Sequence, residues 1–444
     1  TIHGNDGDNF IRGGAGDDTI DGGAGFDWAD FRFSAAPVTV TLTDVVAGHS
    51  GGTATGDGAD TLIDIERVRG STAADTLTGN AEDNWFRGGT GGDVIDGKGG
   101  FDWVDYRNAS NSVTVTLTDG AGGHTGGSSS GADGADTLTD IEAIRGGDFA
   151  DTLTGNSQNN WLRGRAGDDI LDGKGGDDTA DYGNAGGSVT VTLTNMVAGH
   201  TGGSSSGADG ADTLIDIESV AGGDFADSLT GNAEDNWLRG RGGDDTLDGG
   251  DGFDTADYSA ASGSVTVTLT NMVAGHTGGS SSGADGADTL IDIEEVRGSD
   301  FVDVLTGNDE DNFLRGNNGD DFLNGAGGFD WASYGAATGA VTVTLTDAVA
   351  GHTGGSSTGA DGADTLTDIE GLTGSAFGDT LTGNSADNWL RGNAGADTVD
   401  GKGGEDWADY KFATAAVTVT LTNAVGGHTG GSSSGADGAD TLID

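Results

Sequence analysis

The sequence predicts an almost entirely β protein built as an array of repeats, and three observations predict it. A self-similar unit of 76 residues runs along the 444-residue chain, marked by His49, His124, His200, His276, His352 and His428, which are spaced 75 and then four times 76 residues apart. Regular self-similarity at this period marks units that bury their apolar faces only by stacking on neighbours. Within each unit lie aspartate-rich nonapeptides of the form G-G-x-G-x-D-x-U-x, with U apolar. No segment sustains a helical period, and 89 glycines oppose helix.

The repeats divide the chain at 1–55, 56–130, 131–206, 207–282, 283–358 and 359–434, with 435–444 opening a further copy. The one-residue deficit after His49 is local: SGGTATGDGAD is one residue shorter than its counterpart TGGSSSGADGAD. The third unit shows the order of elements. GADGADTLT (131–139) is a nonapeptide, and DIEAIR (140–145) alternates as a short strand. Four tandem nonapeptides follow, GGDFADTLT, GNSQNNWLR, GRAGDDILD and GKGGDDTAD (146–181). In the insert that completes the unit (182–206), SVTVTLT is β-branched and alternating, hence a strand, and VAGHTGGSSS reads as a surface loop.

Composition limits the class further. There are 74 acidic and 18 basic residues, a formal charge of −56, one proline and no cysteine. Charge of this size usually accompanies disorder. Here each acidic cluster is followed by an apolar position at fixed spacing, as in DDTID, DDILD and DDTLD. Bound cations account for both facts, and about 28 calcium ions would neutralise the chain. So negative a chain avoids nucleic acid and anionic membrane on its own. No disulfide framework is possible, and no apolar run reaches the length of a membrane span.

The nonapeptides carry the chemistry. G-G-x-G-x-D makes a tight turn in which glycine takes backbone conformations closed to other residues. It aims backbone carbonyls and an aspartate at one point, and these hard oxygens suit Ca²⁺. The x-U-x that follows is a very short strand with U inward. Two nonapeptides make one coil, so alternate turns share an edge, with neighbouring coils about 4.8 Å apart. Eighteen turns have Gly at position 4 and Asp at position 6.

These motifs resemble those of the RTX (repeats-in-toxin, haemolysin-type calcium-binding) family. The best matches are GGAGDDTID and GGAGFDWAD (13–30), GGTGGDVID and GKGGFDWVD (88–105), and GRAGDDILD and GKGGDDTAD (164–181). They continue with GRGGDDTLD and GGDGFDTAD (240–257), GNNGDDFLN and GAGGFDWAS (316–333), and GNAGADTVD and GKGGEDWAD (392–409). The resemblance implies a right-handed parallel β-roll with Ca²⁺ in the turns, type I secretion by a Gram-negative bacterium, and folding outside the cell or at its surface in millimolar calcium. It makes the expected ligands Asp18, Asp27, Asp60, Asp93, Asp102, Asp136, Asp169, Asp178, Asp212, Asp245, Asp254, Asp288, Asp321, Asp330, Asp364, Asp397, Asp406 and Asp440.

The pattern has departures. Asn9, Asn84, Asn160, Asn236, Asn312 and Asn388 hold the ligand position of the nonapeptide before each matched pair, so calcium there should be weaker or absent. The insert lies outside the minimal pattern. A period close to four whole coils favours one continuous solenoid, with separate beads as the alternative. Paired carboxylates such as Asp168-Asp169 could serve acid–base catalysis, but their recurrence favours ligation. No Ser/His/Asp or Cys/His set accompanies the histidines, which read as solvated or capping.

Aromatic residues recur at the outward position 7: Phe10, Trp85, Trp161, Trp237, Phe313 and Trp389, followed one coil later by Trp28, Trp103, Thr179, Thr255, Trp331 and Trp407. In four copies two rings should therefore lie one above the other. Either the insert covers them, or Trp85, Trp103, Trp389 and Trp407 form a lateral contact with another chain. Arg12, Arg87, Arg163, Arg239, Arg315 and Arg391 follow two residues after the first aromatic and should pair with nearby aspartates. Near-identical copies suit a segment whose length matters more than any one site. The expectation is a calcium-stiffened, non-enzymatic stalk, surface-layer or filament component. The alternative is the calcium-binding region of a secreted toxin or hydrolase whose active domain lies elsewhere. The chain is expected to be a window on a longer protein.

Overall fold

The computed structural model describes residues 1–444 except 47, 121–123, 198, 274, 350, 415, 426–427 and 444. Among the described residues every regular element is a strand, most of them three residues long, so no helix is long and apolar enough to cross a membrane. The chain divides into two units, Thr1–Gly222 and Gly223–Asp444.

In the first unit the three-residue strands alternate between two parallel sheets. In one, Trp161–Arg163 lies between Ala143–Arg145 and Thr179–Asp181, with Trp161 in register with Ala143 and Thr179. In the other, Thr152–Thr154 pairs with Ile170–Asp172, Leu153 opposite Leu171. Each pairing joins positions separated by two nonapeptides, the coil length read from the sequence. This is a parallel β-roll. The apolar position 8 forms its core: Leu153, Leu162, Leu171 and Ala180 are completely buried. Truncating one such leucine to alanine costs about 2–5 kcal/mol.

The insert is where the structure departs from expectation. HTGGSSS is not a loop: His200–Gly207 is a strand. It pairs antiparallel with Val189–Val197 on one side and with Thr213–Ile215 on the other. Nor is the insert a further coil of parallel strands. Ile170–Asp172 pairs with Thr213–Ile215, Leu171 opposite Leu214, so the hairpin lies beyond that strand and widens one sheet only. The sheet opposite carries no such addition, and Thr179–Asp181 pairs directly with Ser219–Ala221. The preceding hairpin shows how the roll resumes, because Val113–Thr118 pairs parallel with Thr152–Thr154. Gly203 permits the antiparallel packing. A Cβ there would stand 2.8 Å from the Thr192 carbonyl oxygen. DIEAIR is a strand only over Ala143–Arg145. The chain turns the corner at Asp140, which has φ 50°.

The second unit repeats this pattern. Ser228–Thr230, Thr246–Asp248 and Thr289–Ile291 follow one another in parallel, and His276–Gly283 and Val265–Val273 extend the sheet antiparallel.

Candidate calcium-binding turns

The turns on both edges are tied together by a ladder of carboxylates. In the consensus turns the position-6 aspartate reaches one coil back and accepts the backbone N–H of its counterpart. Asp102 Oδ1 accepts from Asn84 N (2.7 Å), and Asp178 Oδ1 accepts from Asn160 N (2.6 Å). On the other edge Asp93 Oδ1 accepts from Asp75 N (2.8 Å), and Asp169 Oδ1 accepts from Asp151 N (2.7 Å). Charge-assisted bonds of this kind are among the stronger ones, and they carry the aspartates out of water.

The second oxygen separates the turns into classes. Among the described residues, Oδ2 of Asp27, Asp60, Asp93, Asp102, Asp169, Asp178, Asp245, Asp254, Asp321, Asp330 and Asp397 is buried with no hydrogen-bond partner. Every one of these was singled out from the sequence. A buried carboxylate oxygen without a partner is costly. Burial accordingly pushes the carboxyls of Asp102, Asp169, Asp178, Asp245, Asp321 and Asp330 up to about 8. Asp93, Asp254 and Asp397 rise to about 7 for the same reason. The N–H received by Oδ1 opposes the rise, while neighbouring carboxylates such as Glu142 beside Asp102 and Asp136 beside Asp93 add to it. Asp18 is half-buried, as is Asp406.

The first glycine of the consensus turns keeps space open beside Oδ2. A Cβ on Gly97 would stand 2.3 Å from Asp102 Oδ2 and 2.1 Å from the Asp140 carbonyl oxygen. One on Gly173 would stand 2.4 Å from Asp178 Oδ2 and 2.2 Å from the Asp216 carbonyl oxygen. Each pair sets a carboxylate oxygen beside a main-chain carbonyl of the adjacent coil. No cluster of three or more His, Cys, Asp or Glu side chains in metal-binding arrangement exists among the described residues. What converges is one carboxylate with backbone oxygens, a hard donor set that fits Ca²⁺ rather than a transition metal. A divalent cation there would give the orphaned oxygen a partner and restore the ionised carboxylate.

Other turns satisfy themselves. Asn160 Oδ1 accepts from Asn156 N (2.7 Å), and its Nδ2 donates to the Glu142 carbonyl oxygen (3.1 Å). Asp151, in GGDFADTLT, accepts Val113 N on one oxygen and Gly147 N on the other. Asp136, Asp212, Asp288, Asp364 and Asp440 differ from the other expected ligands, because Oδ2 of each accepts a serine hydroxyl.

Two contributors escaped sequence reasoning. Glu66, Glu142, Glu218, Glu294 and Glu370 carry the ladder across the insert, where Glu142 Oε2 accepts from Asp102 N (2.9 Å). The recurring D-I-E after each insert was the available signal. The aspartate of that triplet is the second. Asp64, Asp140, Asp216, Asp292 and Asp368 all have φ of 49–50°. Their carboxylates bind Nδ1 of His49, His124, His200, His276 and His352 at 2.5–2.6 Å. The histidines thus cap the corner that presents the carbonyl, with rings still 60–70% exposed. The His428 side chain lies outside the described residues.

The outward column forms as its spacing requires. Trp85 is in register with Trp103, ring centroids 4.8 Å apart and stacked, and Trp389 meets Trp407 edge-on at 4.5 Å. The Phe10–Trp28 and Phe313–Trp331 centroids are each 6.0 Å apart. Trp85, Trp103 and Trp389 are half-buried, and Trp407 is 58% exposed. Guanidinium groups cover part of the column, with Arg107 and Arg145 over Trp85 and Arg163 over Trp103. Arg12, Arg87, Arg163, Arg239 and Arg391 pair with Asp30, Asp105, Asp181, Asp257 and Asp409.

A family model described as "RTX calcium-binding nonapeptide repeat (4 copies)" matches residues 1–29, 69–104, 145–180, 221–256, 297–332 and 373–408. No curated protein matches the chain. Apart from that of Asp60, the turns with orphaned oxygens lie in the matched blocks, which leave out the inserts and the aspartates that end them.

Proposed function

The chain is an RTX calcium-binding repeat protein, and from that premise we propose that it is a secreted, calcium-stiffened structural segment that folds on meeting calcium outside the cell. The observation that carries this reading is the set of buried, unpartnered Oδ2 atoms, recurring in the consensus turns on both edges of the roll. Asp18, Asp27, Asp93, Asp102, Asp169, Asp178, Asp245, Asp254, Asp321, Asp330, Asp397 and Asp406 are the proposed carboxylate ligands, with the main-chain carbonyls of Asp64, Asp140, Asp216, Asp292 and Asp368 beside Asp27, Asp102, Asp178, Asp254 and Asp330. With 74 acidic residues against 18 basic ones, the calcium-free chain repels itself, and its three-residue strands bury too little to compensate. Binding energy then becomes folding energy.

Six near-equal copies suit a stalk, surface layer or filament in an extracellular setting, where spacing matters and chemistry does not. The uniformity of the 76-residue unit favours this over the calcium region of a toxin or hydrolase. Lateral self-association through Trp85, Trp103, Trp389 and Trp407 belongs to the same reading and is supported by their alignment on the outward face. Circular dichroism in chelator and in millimolar calcium tests the folding step, and a β spectrum that ignores chelator would overturn it. Sedimentation in calcium tests association, which should weaken when these tryptophans are changed to serine.

A further inference from the structure

We propose that Asp60 holds a divalent cation outside the matched nonapeptide blocks, and that in the next five repeats hydroxyl groups take that cation's place, leaving Asp136, Asp212, Asp288, Asp364 and Asp440 without one. The proposal rests on the calcium reading of the consensus turns. These six aspartates occupy one structural position. Oδ1 of Asp60, Asp136, Asp212, Asp288, Asp364 and Asp440 accepts the N–H of Asp18, Asp93, Asp169, Asp245, Asp321 and Asp397 at 2.9–3.0 Å.

Their second oxygens differ. Asp136 Oδ2 accepts from Ser129 Oγ (2.8 Å) and from the Tyr106 hydroxyl (2.9 Å), and Asp288 Oδ2 accepts from Ser281 Oγ (2.7 Å) and the Tyr258 hydroxyl (2.9 Å). Ser205, Ser357 and Ser433 donate in the same way to Asp212, Asp364 and Asp440. In the first repeat both hydroxyls are missing together. Phe31 replaces the tyrosine and Ala54 the serine, and Ala54 sits directly across from Asp60 in the strand register. Asp60 is 3% exposed, and its Oδ2 has no partner.

A buried carboxylate oxygen needs a donor or a cation. A proton on Oδ2 would only exchange an unpaired acceptor for an unpaired donor. The carboxylates of Asp18, Asp57 and Asp17 add a negative field at Asp60, which favours a cation there over any further acceptor. The ligand class is therefore an oxygen-seeking divalent ion such as Ca²⁺.

Native mass spectrometry of the full chain in calcium, which counts single ions, tests this with three single variants and one double. Asp169→Asn and Asp60→Asn should each lose one ion, Asp136→Asn should keep the wild-type count, and Tyr106→Phe with Ser129→Ala should gain one. Retention of the full count by Asp60→Asn, loss of an ion by Asp136→Asn, or no gain in a folded double variant overturns the proposal. If the double variant does not fold, the Asp60 and Asp136 variants decide alone. Retention of the full count by Asp169→Asn overturns instead the calcium reading on which the proposal stands.

Discussion

Asp140 and Asp102 meet across Gly97. The corner residue Asp140, with φ 50°, sends its carbonyl oxygen to the same small space that Asp102 Oδ2 borders, while its own carboxylate holds His124. In the next repeat Asp216, Asp178 and Gly173 stand in the same relation.

That relation makes the glycine at position 1 of the turn indispensable and the one at position 3 replaceable. A Cβ on Gly173 would overlap both oxygens, at 2.2 and 2.4 Å, whereas one on Gly175 meets only the Ser157 Cα at 3.8 Å, an ordinary contact. Gly173→Ala should lose the ion at Asp178 and lower stability in calcium, and Gly175→Ala should do neither. Isothermal titration of the two variants checks this, and equal behaviour would contradict the assigned space.

Acid should partly replace calcium. Burial raises Asp102, Asp169 and Asp178 to about 8 from an ordinary value of 3.8. Between those limits the calcium-free fold binds protons that the unfolded chain has released, so its stability falls as pH rises through that window. Below about pH 4 both states are protonated and the penalty disappears. A chelated sample should show more β structure near pH 5 than near pH 8. Net repulsion would act in the same direction, but about 1 M salt screens charges beyond roughly 3 Å, so the difference should survive salt. In calcium the dependence reverses, because protons compete with the ion for the same oxygens.

Asparagine turns should tolerate loss of their ligand-position residue without loss of calcium. Asn160→Ala leaves Asn156 N without its acceptor, a cost of about 1–3 kcal/mol, with the ion count unchanged. Asp178→Ala removes an orphaned oxygen together with the cap on Asn160 N, so it should lose an ion. Equal losses in calorimetric stoichiometry would contradict the division of turns.

The coil length, the inward position 8 and the outward aromatic column were legible because short-range spacing dictates them: two nonapeptides bring Trp85 to Trp103 whatever lies further off. The hairpin was not legible. Glycine and serine in HTGGSSSG have poor strand propensity, and the segment is a strand only because Val189–Val197 and Thr213–Ile215 flank it on both sides. The aspartates at position 6 look alike in sequence, and what separates Asp136 from Asp169 is the hydroxyls of Ser129 and of the more distant Tyr106. The arginine pairs were foreseen as a class, but the exception, Arg315, turns on a single serine one coil on.

That exception gives the last prediction. Asp181 has a fully buried side chain and accepts from Arg163 Nε (2.8 Å) and Trp161 Nε1 (2.7 Å). Removing Arg163 takes its counter-charge from a buried carboxylate, so Arg163→Ala should cost about 3–5 kcal/mol and shift Trp161 fluorescence. At the equivalent place after Arg315 the chain has Ser333. Arg315 is in register with Arg297, its Nε has no partner, and burial together with Arg297 lowers its affinity for the proton. Arg315→Met keeps the packing of the stem and removes the unfavourable charge, so it should be neutral or stabilising. Denaturant midpoints in saturating calcium compare the two variants. A loss from Arg315→Met as large as that from Arg163→Ala would mean that the arginine column stabilises the roll through packing and not through its carboxylates.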